Sequence, residues 1–77
     1  MYSKNNTEIE LESQTIKWLK KAKKKLEEHK NKKNQKKFII KNADCYIKDT
    51  YYFLEQNDYI RGFESIIWAW ALLEIGE

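Results

Sequence analysis

The stretch Tyr46-Ile-Lys-Asp-Thr-Tyr-Tyr-Phe-Leu-Glu-Gln-Asn-Asp-Tyr-Ile-Arg-Gly-Phe-Glu-Ser-Ile-Ile-Trp-Ala-Trp-Ala-Leu-Leu73 decides the fold. It holds most of the aromatic residues and the only arginine, Arg61. It is broken once, at Gln56-Asn57-Asp58. Asparagine tolerates the left-handed backbone of a helix exit, and aspartate is a favoured N-cap. On both sides of the break, apolar residues recur at helical spacing. Ahead of it, Ile39, Ala43, Tyr46, Ile47, Thr50, Phe53 and Leu54 share a face of about 120°. Behind it, Tyr59, Phe63, Ile66, Ile67, Trp70 and Leu73 form one stripe, flanked by Gly62 and Ala69, where another helix can approach closely. A connection this short makes the two helices antiparallel neighbours. A second apolar group, Trp68, Leu72 and Ile75, lies on the other side of the last helix. That helix must touch two neighbours, or one neighbour and another protein.

Upstream, Thr7-Glu-Ile-Glu10 fits a capping box, with Thr7 as N-cap and Glu10 reaching back. At 100° per residue, Leu11, Ile16, Trp18, Leu19, Ala22 and Leu26 fall within an arc of about 160°. Lys17, Lys20, Lys21, Lys24 and Lys25 occupy the opposite arc. The apolar face ends at Leu26, and Lys33 would fall on the core stripe, so this helix stops near His29 or Lys30. His29 is expected to be solvated, and residues 30–37 read as a polar connector. With no proline and two glycines, the chain is expected to be all-α. The reading is one domain over 1–77, a three-helix up-and-down bundle with helices at about 7–30, 38–56 and 59–75 and a tight αα-hairpin between the last two.

Composition bounds the function. A chain of 77 residues buries only about 60% of the surface its unfolded form exposes, so it needs efficient packing or a partner. Cys45 is the only cysteine and His29 the only histidine, which removes an intramolecular disulfide and a Cys/His zinc set. No cofactor is expected. The longest apolar run, residues 66–73, is far below the ~18 residues that span a bilayer. The N-terminal residues lack the apolar core of a signal peptide. A cytoplasmic protein with no membrane association is the expectation. The net charge of +3 hides an asymmetry. Residues 1–38 carry twelve lysines against five acids, and residues 39–77 three bases against seven acids.

Residues 46–76 resemble an uncharacterised archaeal family of short helical proteins, a domain of unknown function. The resemblance is carried by Tyr46, Asp49, Tyr52, Phe53, the Asn57-Asp58 turn, Arg61, Phe63-Glu64, Ala69-Trp70 and Leu72. The sequence departs from that pattern at Asn57, Gly62 and Ala71. The resemblance implies a three-helix up-and-down bundle with a left-handed twist, and it brings no activity.

Two groups of residues are candidate sites. The lysine face is large enough for a phosphate footprint. However, it is built from lysine rather than the arginine that favours bidentate contact, so a solvated face is the first reading and nucleic acid the second. The polar set Asp49, Asp58, Arg61 and Glu64 sits in an aromatic setting. Asp58 is expected to cap the third helix, Arg61 to pair with Glu64, and Asp49 to hydrogen-bond Trp68 or a nearby tyrosine. A helical family that accompanies nucleotidyltransferases and includes ribonucleases is similar in look, but its active members place a histidine shortly after an arginine. No histidine follows Arg61. No nucleophile–base pair or metal set is visible, so the reading is non-enzymatic. The chain is expected to act as an interaction or assembly module that binds an unidentified protein or a second copy through Trp68 and Leu72.

Overall fold

Local chemistry sets the helix ends. The computed structural model describes residues 3–76, with Met1, Tyr2 and Glu77 outside it. Its helices are α1 (Asn6–Lys30), α2 (Lys37–Glu55) and α3 (Tyr59–Ile75). There is no strand among the described residues. The capping box of α1 lies two residues ahead of the expected one. Asn5 Oδ1 accepts from the Glu8 N–H at 2.8 Å, and the Glu8 carboxylate accepts from the Asn5 N–H at 3.2 Å. Asn5-x-x-Glu8 offers the same reciprocal pattern as Thr7-x-x-Glu10, and asparagine is the better N-cap. Thr7 therefore lies inside the helix.

The α2–α3 turn closes with two nested bonds. The Asp58 N–H donates to the Phe53 carbonyl at 2.8 Å, and the Asn57 N–H to the Leu54 carbonyl at 3.1 Å. With Asn57 at φ 58°, this is a Schellman closure built on a left-handed asparagine. Asp58 then caps α3, its Oδ1 accepting from the Arg61 N–H at 3.2 Å.

The three helices pack as an all-α bundle measuring 47 × 16 × 16 Å. Its centre is Leu19, Ala22 and Leu26 of α1, Ala43 and Ile47 of α2, and Ile66, Ala69 and Leu73 of α3. Each helix contributes one fully buried alanine, Ala22, Ala43 and Ala69, and these small side chains let the backbones approach closely. Burial of each larger aliphatic side chain contributes about 1.5–3 kcal/mol. Helix α3 packs against both neighbours, while α1 and α2 touch each other least.

The inward seam of α1 is Thr15, Leu19, Ala22, Leu26 and His29, an alternating four-and-three spacing. This corrects two expectations. Ile16, placed on the core arc, is 41% exposed, and Thr15 beside it is fully buried. Thr15 keeps its hydroxyl satisfied by donating to the Leu11 carbonyl at 2.6 Å. His29, expected in solvent, is buried because the end of α3 lies over it, and its Nε2 sits 2.9 Å from the Leu73 carbonyl oxygen.

Candidate functional site

The polar residues of the hairpin do not converge. Arg61 pairs with Asp58, Nε to Oδ2 at 3.6 Å, and not with Glu64 as its spacing also allowed. Both acids lie three residues away, but Asp58 is already fixed by capping α3, so the guanidinium folds back towards it. Glu64 is exposed. Asp49 is also exposed, and its expected hydrogen bond to Trp68 does not form. The Trp68 indole instead stacks on Tyr46, with centroids 6.4 Å apart and planes 20° from parallel. The group is thus a cap, a surface ion pair and two solvated carboxylates. Among the described residues, no set of three His, Cys, Asp or Glu side chains is arranged to hold a metal ion.

The apolar strip of α3 does persist at the surface. Trp68 is 55% exposed and Ile75 73%, with Leu72 half-buried between them. Ile60, which sequence patterning left out, lies on the same side at 72% exposure, separated from Trp68 by the exposed Glu64. Its signal was available: residues 60, 64, 68, 72 and 75 fall on one side of a helix. Two residues beyond Trp68, Trp70 faces the other way, edge-on to Trp18 of α1 at 5.3 Å.

The lysine face of α1 is partly anchored to the bundle. The Lys21 ammonium lies 4.6 Å from the Trp18 ring centroid, and that of Lys25 lies 4.9 Å from Trp70. Lys25 also pairs with Glu74 at 3.7 Å. Lys23, on the flank towards α2, donates to the Tyr51 hydroxyl at 3.0 Å. Lys17, Lys20 and Lys24 stand in solvent. Sequence reading placed Trp18 and Trp70 on core stripes and so missed that each also carries a lysine over its ring.

An open hollow of about 340 Å³ lies where the start of α1 meets the α2–α3 turn, lined by Asn5, Glu8, Leu11, Asn57, Asp58 and Tyr59 among others. Its polar groups are engaged in holding the fold. Asn5 and Glu8 form the cap of α1, Tyr59 donates to Asn57 Oδ1 at 2.8 Å, and Asp58 caps α3. Next to Asn5 in the chain, Lys4 donates to Glu12 at 3.0 Å, and that hydrogen bond raises the ammonium above the ordinary lysine value. No buried side-chain polar atom among the described residues lacks a partner.

A family model described as a protein of unknown function, DUF357, matches residues 14–77. The chain belongs to this family. The DUF357 match takes in all of α2 and α3 and α1 from Gln14 onward, so it includes both the lysine run and the α3 strip. The resemblance read over residues 46–76 therefore extends well into α1. No curated protein and no solved structure matches the chain at a significant level. Among the described residues, no helix is long and apolar enough to cross a membrane.

Proposed function

We propose that this DUF357 chain is a homotypic assembly module in which the exposed strip of α3 pairs with the same strip of a second copy. The observation that carries this reading is Trp68, an indole held by Tyr46 and still 55% exposed. A contiguous apolar strip on a small domain is characteristic of an interface, and tryptophan is enriched among the residues that dominate binding energy. The strip is suited to two-fold pairing, in which one patch meets itself. Trp68 lies midway in sequence between Arg61 and Ile75. Antiparallel α3 helices crossing at Trp68 would set each exposed Arg61 beside the final turn of the other α3, where the carbonyl end of the helix attracts a cation.

Light scattering coupled to size exclusion tests the reading. The expected mass is twice the chain mass of 9.4 kDa at high micromolar concentration. Trp68→Lys should give a monomer with unchanged helical circular dichroism. A wild-type monomer under those conditions defeats the proposal. Unfolding by Trp68→Lys would assign that side chain to the intramolecular core instead.

A further inference from the structure

We infer that the lysine ridge of α1 is a binding surface for the phosphodiester backbone of nucleic acid. Residues 17–25 contain six lysines and no acid. Five of these, Lys17, Lys20, Lys21, Lys24 and Lys25, share one side of the helix, three or four residues apart. Like charges at these spacings destabilise a helix by about 0.2–0.5 kcal/mol per pair. Several cations elsewhere do have an acidic partner, as in Lys48–Asp44, Arg61–Asp58, Lys30–Glu27 and Lys4–Glu12. On the ridge, Lys25 has Glu74, whereas Lys17, Lys20, Lys21 and Lys24 have no acidic partner among the described residues. The repulsion built into the ridge is relieved when an external polyanion approaches it.

The geometry favours a nucleic-acid backbone over an acidic protein. Protein interfaces are organised around an apolar centre, and this ridge exposes charge over lysine stems. Lys17 to Lys25 covers about 12 Å of helix, the axial rise of three to four phosphates on one duplex strand. Lys21 and Lys25 are already positioned over Trp18 and Trp70, which reduces the side-chain ordering that binding would otherwise cost. Lysine acts as a point charge without the planar fork of arginine, so recognition should be blind to sequence. The ridge faces away from the seam of α1, and the Trp68 strip lies on α3, so the two surfaces can be tested separately.

Fluorescence anisotropy with labelled short single-stranded and duplex oligonucleotides tests the inference. Four lysines neutralising four phosphates predict a slope of log K against log salt of about −3.6 for duplex, or roughly a hundredfold loss between about 50 and 200 mM salt. The triple variant Lys17→Glu, Lys20→Glu, Lys24→Glu should lose about tenfold or more at fixed salt. Lys32→Glu, Lys33→Glu, Lys36→Glu changes the net charge equally on the exposed α1–α2 linker and should lose less than about threefold. Circular dichroism establishes that both triples are folded. Equal losses in the two triples would reduce the effect to bulk charge and overturn the proposal. Absence of binding at 50 mM salt would overturn it too. Equal affinity for polyglutamate would reassign the ridge to an acidic protein.

Discussion

The Nε2–H of His29 donates to the Leu73 carbonyl oxygen at 2.9 Å, tying the last turn of α1 to the last turn of α3. A carbonyl can only accept, so the proton sits on Nε2. The carbonyls of a final turn lack intrahelical donors, and the imidazole supplies one from a neighbouring helix. His29→Ala removes both this bond and the packing of a side chain only 3% exposed. The expected loss is about 2–3 kcal/mol, seen as a Tm lower by roughly 10–20 °C for a domain of this size. His29→Gln, which can still donate, should recover part of it.

The two glycines should respond with opposite signs to the same substitution. A Cβ at Gly62 would meet nothing closer than 3.7 Å, whereas at Gly76 it would lie 3.0 Å from Ile39 Cγ2 and 3.1 Å from His29 Cε1. Gly62→Ala should stabilise by about 0.5–1 kcal/mol through helix propensity. Gly76→Ala should destabilise by about 1 kcal/mol, because His29 is anchored and cannot give way. Urea denaturation of both variants distinguishes the signs.

Trp68 and Trp70 should differ sharply in what they contribute to folding. Trp70 is half-buried, edge-on to Trp18 and beneath Lys25, so Trp70→Ala should cost about 3–4 kcal/mol. Trp68→Ala in the monomer removes one stacked contact and should cost under about 1.5 kcal/mol. Denaturant midpoints measured at low protein concentration, where assembly does not contribute, report the difference.

Two surface lysines give stability an alkaline edge. Hydrogen bonds to Glu12 and Asp44 raise Lys4 and Lys48 above the ordinary 10.5. A raised folded-state value means that the contribution is complete below 10.5 and fades as pH climbs through the raised value. The denaturation midpoints of wild type and of Lys4→Met, Lys48→Met should therefore differ by a small constant amount from about pH 7, where both carboxylates are ionised, up to pH 10.5, and converge above it.

The parts of the fold that were legible in the sequence depend on local chemistry. The Gln56-Asn57-Asp58 turn needs only a left-handed asparagine and a capping aspartate, and the α3 stripe needs only its spacing. His29 was hidden because it follows the last apolar residue of α1, and its burial is caused by the end of α3, far away in sequence. Thr15 and Ile16 exchanged places because a 100° step separates them, and the seam is chosen by the neighbouring helix. The first cap moved because two overlapping four-residue patterns compete, and only their local energies separate them. Arg61 had an acid on each side at equal spacing. Nothing in that spacing records that Asp58 is already immobilised.

The central placement of α3 also sets an order of assembly. Helices α2 and α3 are joined by three residues and share the most extensive interface, while α1 rests mainly on α3. The hairpin has the smaller loop-closure cost and should form the folding nucleus, with α1 docking afterwards. Substitutions at Ile47 or Ile66 should slow refolding, whereas those at Leu19 or Leu26 should chiefly accelerate unfolding. When the chain opens, α1 should leave first, carrying its lysines away from Trp70 and uncovering the outer face of the hairpin before the hairpin itself separates.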